Sequence, residues 1–278
     1  MAYAGELMTT LDLVNDWPVT RVAAGTCTRH GARQTAGQID SPFPLASVTK
    51  PLFAYAVLVA IEEGTLHLDQ EAGPPGATVR HLLAHASGLA DDPVVRASAV
   101  ARRRIYSNAG FELLGQLLEQ ESGIDAATYL AEAVTQPLGM NATRLLGSPA
   151  HGAESTVNDL LNFVAELLHP TLISAQTLTQ AATPQFPDLD GVLPGYGRQS
   201  PNYWGLGFEI RGHKSPHWTG LLNAPTTFGH FGRSGTFLWV DPHHGVGCVA
   251  LTDRTFGSWA VPLWPGLSDQ VIQDNRIH

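Results

Sequence analysis

The chain has 278 residues, of which 44% are hydrophobic and 15% are charged, and its formal net charge is -9. It can therefore bury a sizeable core, and its acidity argues against nucleic acid or an anionic membrane surface as a partner. No apolar stretch reaches membrane-spanning length, and residues 1–17 lack the features of a secretory signal peptide. We expect a soluble, cytoplasmic enzyme or binding protein.

The first 38 residues predict a short helix followed by a hairpin. Apolar residues recur at near-helical spacing over residues 5–17, and Pro18 ends the pattern. Residues 19–28 and 33–38 predict two short strands, and the segment between them has turn character.

The middle of the chain is predicted to be mostly helical. An apolar run follows Ser47 and ends at Gly64, and Pro51 is tolerated because it lies in the first turn of that helix. Further helices are expected where a capping residue precedes an apolar periodicity, over residues 79–86, 108–121, 125–136, 157–168 and 175–182.

Beyond residue 182 the pattern changes from helices to strands. Residues 183–199 are rich in proline and glycine and predict a long surface loop, a type of loop that is often functional or mobile. The periodicity then predicts four strands, over residues 204–210, 227–231, 236–240 and 245–251. A short helix over residues 268–275 is expected to close the chain.

Together these elements predict an α+β fold. Strands at both ends of the chain favour one antiparallel sheet formed by the two termini and flanked by helices, with a mostly helical lobe inserted between them. We assign residues 1–46 and 203–278 to the sheet-containing region and residues 47–202 to the helical lobe.

The cysteines and the closely spaced histidines predict no metal site. Cys27 and Cys248 either pack as small apolar side chains or form a disulfide. His81 and His85 lie four residues apart, as a zinc pair would, but further ligands are missing at a familiar spacing, so buried or hydrogen-bonded histidines are the expected interpretation. We expect no metal and no cofactor.

Ser47 and Lys50 are the first candidates for chemistry. Three residues apart, they fall on one face of a helix. If the helix begins at or just before Ser47, the helix dipole and burial both favour the neutral form of the lysine amine. A neutral amine can take the proton of a serine hydroxyl, which creates a nucleophile without a catalytic histidine.

Two further motifs carry suitable side chains. Tyr106 and Asn108 lie where an irregular stretch enters a helix. A tyrosine phenol beside an ammonium is pushed toward phenolate, which can accept a proton and return it to a leaving group. The amide of an asparagine can hold a substrate carbonyl and the lysine together. Glycines within residues 228–236 allow a ligand to come close and can leave a main-chain N–H available for an oxyanion.

In that order, Ser-x-x-Lys at 47–50, Tyr-x-Asn at 106–108 and His-x-Gly at 230–232 resemble the serine β-lactamase and penicillin-binding-protein superfamily. The chain looks most like the branch of class C β-lactamases, D-alanyl-D-alanine carboxypeptidases and β-lactamase-like carboxylesterases. The likeness extends from about residue 19 to about residue 253, with supporting stretches at 79–89, 137–140, 155–160 and 232–242.

The resemblance implies roles for the matching positions. Ser47 would be the acylated nucleophile, Lys50 its proton acceptor, and Tyr106 a partner in the base role that later protonates the leaving group. Asn108 would orient the substrate, and the main-chain N–H groups of Ser47 and Arg233 would form the oxyanion hole. Substrate-binding residues would be Asn108, His230, Gly232 and Arg233. The site would lie at the seam between sheet and lobe.

One departure affects the substrate that the resemblance implies. Where β-lactamases and peptidases usually have Lys-Thr-Gly, this chain has His230, Phe231 and Gly232. Imidazole is a poorer anchor for a carboxylate than ammonium, and phenylalanine removes a hydroxyl, which favours neutral esters or amides. Arg233 carries a positive charge whose direction the sequence does not fix. Nearby aromatic residues either line an acyl pocket or belong to the core: Trp204, Phe208, Trp218 and Phe231.

Three functions are compatible with these patterns. The leading hypothesis is a serine hydrolase with an esterase-like preference for small or medium acyl groups. The second is a D-amino-acid peptidase or amidase, a weak β-lactamase or an acyltransferase. The third is a non-catalytic binding protein of the same fold. The expected partner is a small-molecule ester, amide or peptide substrate, with no nucleic acid and no membrane.

Overall fold

In the computed structural model, which describes residues 9–90 and 97–276, a six-stranded antiparallel sheet combines strands from both ends of the chain. Its strands are β1 (Val22–Thr28), β2 (Arg33–Gly37), β8 (Glu209–Ile210), β9 (Phe228–Gly232), β10 (Thr236–Asp241) and β11 (Val246–Thr252). Their order in the sheet is β2-β1-β11-β10-β9-β8. Two small sheets lie outside it, formed by β3 (Phe43–Pro44), β5 (Ala153–Ser155) and β4 (Arg144–Leu145), and by β6 (Gly191–Leu193) and β7 (Gly197–Gln199).

Seven α-helices are found among the described residues, and most of them lie between β2 and β8. They are α1 (Thr49–Glu62), α2 (Val79–Leu83), α3 (Asn108–Ser122), α4 (Ala126–Leu130), α5 (Val157–Leu168), α6 (Ala175–Ala181) and α7 (Ala260–Asp274). Short 3-10 helices span Thr10–Asp16 and Ala46–Val48, and a π-helical turn, Ala131–Thr135, continues α4. None of the helices in the described ranges is long and apolar enough to cross a membrane.

Both faces of the main sheet are covered, which explains why its central strands are buried almost throughout. One face joins a hydrophobic cluster with α1 and α5, and the other joins a cluster with the N-terminal 3-10 helix and α7. Cys27 belongs to the first cluster and Cys248 to the second, and both thiols are free. Side chains on opposite faces of a sheet cannot bond, so the disulfide alternative is excluded.

The α+β prediction, with a sheet from both termini and helices between, is confirmed. The division into residues 1–46 with 203–278 and residues 47–202 stays a prediction. At the N-terminus, the described part of the expected helix over residues 5–17 is a 3-10 helix, and residues 5–8 lie outside the described ranges.

Three local predictions were wrong. Residues 183–199 contain a two-stranded hairpin, whose strands of three residues are too short to show alternation. Of the strand expected over residues 204–210, only the last two residues form a strand, β8, because bends interrupt the preceding segment. The C-terminal helix begins at Ala260, eight residues before the predicted start, since burial of Trp264 and its neighbours outweighs the helix-breaking effect of Pro265.

Gly25 of β1 offers a test of how closely helix α5 packs on the sheet. A Cβ at this position would collide with Val157 and Leu161 of α5. We expect Gly25→Ala to lower the free energy of unfolding by about 1–3 kcal/mol through overpacking. In Gly25→Ala/Val157→Ala the second change makes room, so the two losses should be less than additive in urea unfolding. Strict additivity would contradict this packing.

Candidate active site

Ser47 lies in the 3-10 turn that leads directly into helix α1. The preceding residue, Ala46, has a positive φ of 46°, an uncommon conformation for a residue with a Cβ. The turn is tied to β5, because the N–H of Leu45 donates to the carbonyl of Ala153. This geometry places the half-buried Ser47 hydroxyl at the positive end of the helix dipole.

Lys50 is fully buried in the first turn of α1. Its Nζ donates to Oδ1 of Asn108 at 2.6 Å and to the carbonyl of Ala150 at 2.9 Å. The same nitrogen lies 4.7 Å from the ring centroid of Tyr106 and 5.5 Å from that of Phe111. The amine is therefore held among an amide, a carbonyl and aromatic faces.

Tyr106 meets the serine directly. Its hydroxyl donates to Oγ of Ser47 at 2.7 Å. The next residue, Ser107, caps helix α3 by accepting from the N–H of Gly110, which fixes the chain between Tyr106 and Asn108. The structure thus brings Ser47, Lys50, Tyr106 and Asn108 into one connected group. Sequence spacing alone predicts proximity only within Ser-x-x-Lys and within Tyr-x-Asn, and not between the two motifs.

His85 packs against the ring of Tyr106. Its ring centroid lies 4.7 Å from that of Tyr106 and 4.6 Å from that of Trp204. Its Nδ1 accepts from the N–H of Ser107. Burial of the ring holds the pKa of His85 well below its usual range, so the imidazole is neutral.

His81 has a separate, local role. It forms a capping box with Thr78 at the start of α2 and stacks on Phe186. Within the described residues there is no group of three or more His, Cys, Asp or Glu side chains placed to hold a metal ion.

His230, Phe231 and Gly232 occupy strand β9 beside the serine turn. Nδ1 of His230 lies 2.6 Å from the carbonyl of Phe231, so this nitrogen carries the proton and donates it. Burial of the ring lowers the pKa of His230 to about 3, so the imidazole is neutral at physiological pH. Gly232 leaves no room for a Cβ against Leu45, and the exposed Arg233 follows it.

A cavity of about 250 Å³ opens in front of Ser47. Its wall combines candidate site residues, apolar and aromatic side chains, the tip of the β6–β7 hairpin and one carboxylate, Glu209. The lining residues are Ser47, Tyr106, Asn108, Leu193, Pro194, Gly195, Trp204, Glu209, His230, Phe231, Arg233 and Phe256. Lys50 and Gly232 are buried and are not part of this wall. Of the four aromatic residues considered from the sequence, Trp204 and Phe231 line the cavity, and Phe208 and Trp218 belong to the core.

Sequence reasoning missed a buried ionic cluster at the cavity wall. Glu209 forms an ion pair with Lys214 and accepts hydrogen bonds from His217 and Trp218. Burial alone would raise the pKa of Glu209, but Lys214 and His217 hold it far below its usual range, so the carboxylate stays charged. Residues in irregular loops supply its partners, and no periodic pattern indicates such a cluster.

Sequence reasoning also missed Arg104, which stabilises the side of the cavity formed by the β6–β7 hairpin. It is buried and donates to the carbonyls of Ala84, Asn202, Gln185 and Phe186. Burial lowers its pKa to about 9. Its main-chain N–H also donates to the carbonyl of Asp190, so one residue joins the loop after α2 to the segment that carries the hairpin.

Comparison with known proteins found similar sequences and structures. The family model described as "Beta-lactamase" matches residues 8–267. The crystal structure of a β-lactamase from Mycobacterium bovis is 53% identical, superposes with a TM-score of 0.95, and the match covers 97% of this chain and 100% of that one.

Two curated relatives carry different names. Esterase EstB from Burkholderia gladioli is 28% identical over 90% of this chain and 86% of its own length. Penicillin-binding protein 4* from Bacillus subtilis is 30% identical, but the match covers 38% of this chain and 31% of that protein. This chain therefore spans only about a third of the length of that relative.

The depressed pKa of His230 predicts how stability depends on pH. Below pH 6.5 the unfolded chain protonates this histidine, whereas the folded protein does so only near pH 3. The free energy of unfolding should therefore fall as the pH decreases from 6.5, by about 1 kcal/mol per pH unit for this group.

We expect His230→Gln to reduce that slope by about this amount in urea unfolding series between pH 7 and pH 5. Every other titratable group is retained, so the difference between the two slopes isolates His230. Identical slopes would show that His230 becomes protonated in the folded protein.

Proposed function

The chain belongs to the β-lactamase family, and on that premise we propose that it is a serine hydrolase that forms an acyl-enzyme on Ser47. The observation that carries the proposal is the connected group of Ser47, Tyr106, Lys50 and Asn108 in front of a largely apolar cavity. A serine hydroxyl bonded to a phenol, with a buried amine beside the ring of that phenol, supplies the parts that acyl transfer requires.

In the proposed acylation step, the neutral amine of Lys50 takes the proton of Ser47 as Oγ attacks the substrate carbonyl carbon. Burial and the N-terminal end of α1 both disfavour a charged amine before the reaction. Asn108, bonded to Nζ, keeps the amine in place and presents its amide to the substrate. The carbonyl oxygen becomes an oxyanion that the N–H groups of Ser47 and Arg233 stabilise.

Tyr106 completes the proton transfer. As the tetrahedral intermediate collapses, its hydroxyl gives a proton to the leaving oxygen or nitrogen and recovers one from the Lys50 ammonium. The bond between the carbonyl carbon and the leaving group breaks, and the acyl group stays on Ser47. In the hydrolysis half, water attacks the acyl carbonyl carbon while Tyr106 takes a proton from it and passes its own proton to Lys50. The bond between the carbonyl carbon and Oγ then breaks, Lys50 returns the proton to Ser47, and the free acid leaves.

The substrate we propose is a neutral ester or amide with a small or medium acyl group. The imidazole of His230 is neutral and Phe231 has no hydroxyl, so β9 provides no fixed charge for a carboxylate. The apolar side chains of Trp204, Phe231 and Phe256 in the wall suit an apolar acyl group. The esterase name of one relative supports this choice.

A second candidate is a D-amino-acid peptidase or amidase, a weak β-lactamase or an acyltransferase. The observation that favours it is Arg233, an exposed cation at the cavity wall that suits a substrate carboxylate. The name of the penicillin-binding relative points the same way. A non-catalytic binding protein of this fold remains the remote third candidate.

A fluorophosphonate probe tests the proposed nucleophile. We expect the wild-type protein to gain one probe mass on Ser47 in intact-mass and peptide spectra, and Ser47→Ala to gain none. Lys50→Arg, which keeps the charge but cannot act as a neutral base, should slow the reaction at least about 100-fold. Ser41→Ala, at another half-buried serine, should react like wild type. A wild-type protein without an adduct would contradict the proposal.

Paired substrates separate the first two candidates. We expect kcat/KM for the p-nitrophenyl ester of monomethyl succinate to exceed that for the free-acid ester at least about 10-fold, since β9 offers no cation to the carboxylate. Arg233→Gln should leave this ratio unchanged within twofold. Preference for the free acid, lost in Arg233→Gln, would instead establish the second candidate.

A further inference from the structure

The two proposed oxyanion donors lie on separate parts of the chain. One is the N–H of Ser47, in the turn before helix α1, and the other is the N–H of Arg233, just after strand β9. Catalysis requires that both groups point at the same oxygen, and a displacement of about 1 Å can cost about 100-fold in rate. Some contact must therefore fix the turn against the strand.

Two hydroxyl groups bridge this gap. Oγ1 of Thr236, on β10, donates to the carbonyl of Leu45 at 2.9 Å, and Oγ of Ser234 donates to the carbonyl of Pro44 at 2.7 Å. Pro44 and Leu45 lie immediately before the serine turn. Ser234 and Thr236 lie one and three residues after Arg233, so each bond joins the neighbourhood of one oxyanion donor to that of the other.

Packing at the same place shows that the approach is close. A Cβ on Gly232 would collide with the carbonyl of Leu45 and with Oγ1 of Thr236. The positive φ of Ala46 is a conformation that persists only when its surroundings fix it. Thr236 is fully buried, so water does not compete for its hydrogen bond, whereas Ser234 is only half-buried.

We propose that Thr236, assisted by Ser234, is a positioning residue that sets the distance between the N–H groups of Ser47 and Arg233. The inference rests on the proposed acyl-enzyme mechanism and adds to it a residue outside the three motifs. Thr236 touches no substrate; it acts through the carbonyl of Leu45 on the turn that carries the nucleophile. Losing its hydroxyl should weaken binding of the transition state more than binding of the substrate.

Thr236→Val tests this role, because valine keeps the shape and removes only the hydroxyl. Leu45 retains a second hydrogen bond, from the N–H of Val48, so the turn should still form. We expect kcat for a short-chain ester to fall 10- to 100-fold with KM within twofold, and the affinity for a boronic acid that forms a tetrahedral adduct on Ser47 to fall by the same factor.

Matched variants separate positioning from general stability. Thr236→Ser restores the hydroxyl and should recover kcat to within threefold of wild type. Thr227→Val removes another buried threonine hydroxyl, bonded to Asp241 away from the turn, and should leave kcat and boronic acid affinity unchanged. If Thr236→Val does not fold, Ser234→Ala gives the test, with an expected three- to tenfold loss of kcat.

The results for these variants distinguish failure of the positioning role from failure of the acyl-enzyme mechanism. Equal effects of Thr236→Val and Thr227→Val, a change in KM alone, or an unchanged boronic acid affinity would each overturn the positioning role while wild-type labelling of Ser47 still supported the mechanism. Absence of any wild-type adduct on Ser47 would overturn the mechanism and the positioning role together.

Discussion

The burial of Lys50 is the constraint on which the site depends. Its Nζ lies at the start of α1, bonded to Asn108 and to the carbonyl of Ala150, with the rings of Tyr106 and Phe111 around it. An amine in such surroundings loses the hydration that stabilises its charged form. The proposed chemistry follows from this, because only an uncharged amine can accept the proton of Ser47.

The fold buries Lys50 by bringing segments that are distant in the sequence together at the candidate active site. Ser47 comes from the 3-10 turn before α1 and Lys50 from the first turn of that helix. Tyr106 precedes α3, Asn108 begins it, and His230 lies on β9. None of these segments defines the geometry alone. Hydroxyl groups of Ser234, in the β9–β10 turn, and of Thr236, on β10, donate to carbonyls just before Ser47. Arg104 binds main-chain carbonyls on the hairpin side of the cavity.

The sequence predicted those features that local patterns encode. Alternation and capping located the main strands and helices α3, α5 and α6. The expected common helical face of Ser47 and Lys50 stays a prediction, because Ser47 lies in the 3-10 turn before α1. The meeting of Tyr106 with Ser47 came from the family resemblance, because no spacing relates residues so far apart. Glu209 and its partner Lys214 escaped prediction, since their cluster depends on loop geometry, as did the first turns of α7, where Pro265 masks the helical period.

The most direct test is the charge of Lys50 itself, and the composition makes it accessible because the chain has only two lysines, Lys50 and Lys214. NMR of protein labelled with 13C and 15N at lysine should give two side-chain signals, and the one lost in Lys50→Arg belongs to Lys50. The account predicts that this signal reports a neutral amine at pH 8. A Lys50 signal that remains that of an ammonium ion up to pH 10 would contradict the account.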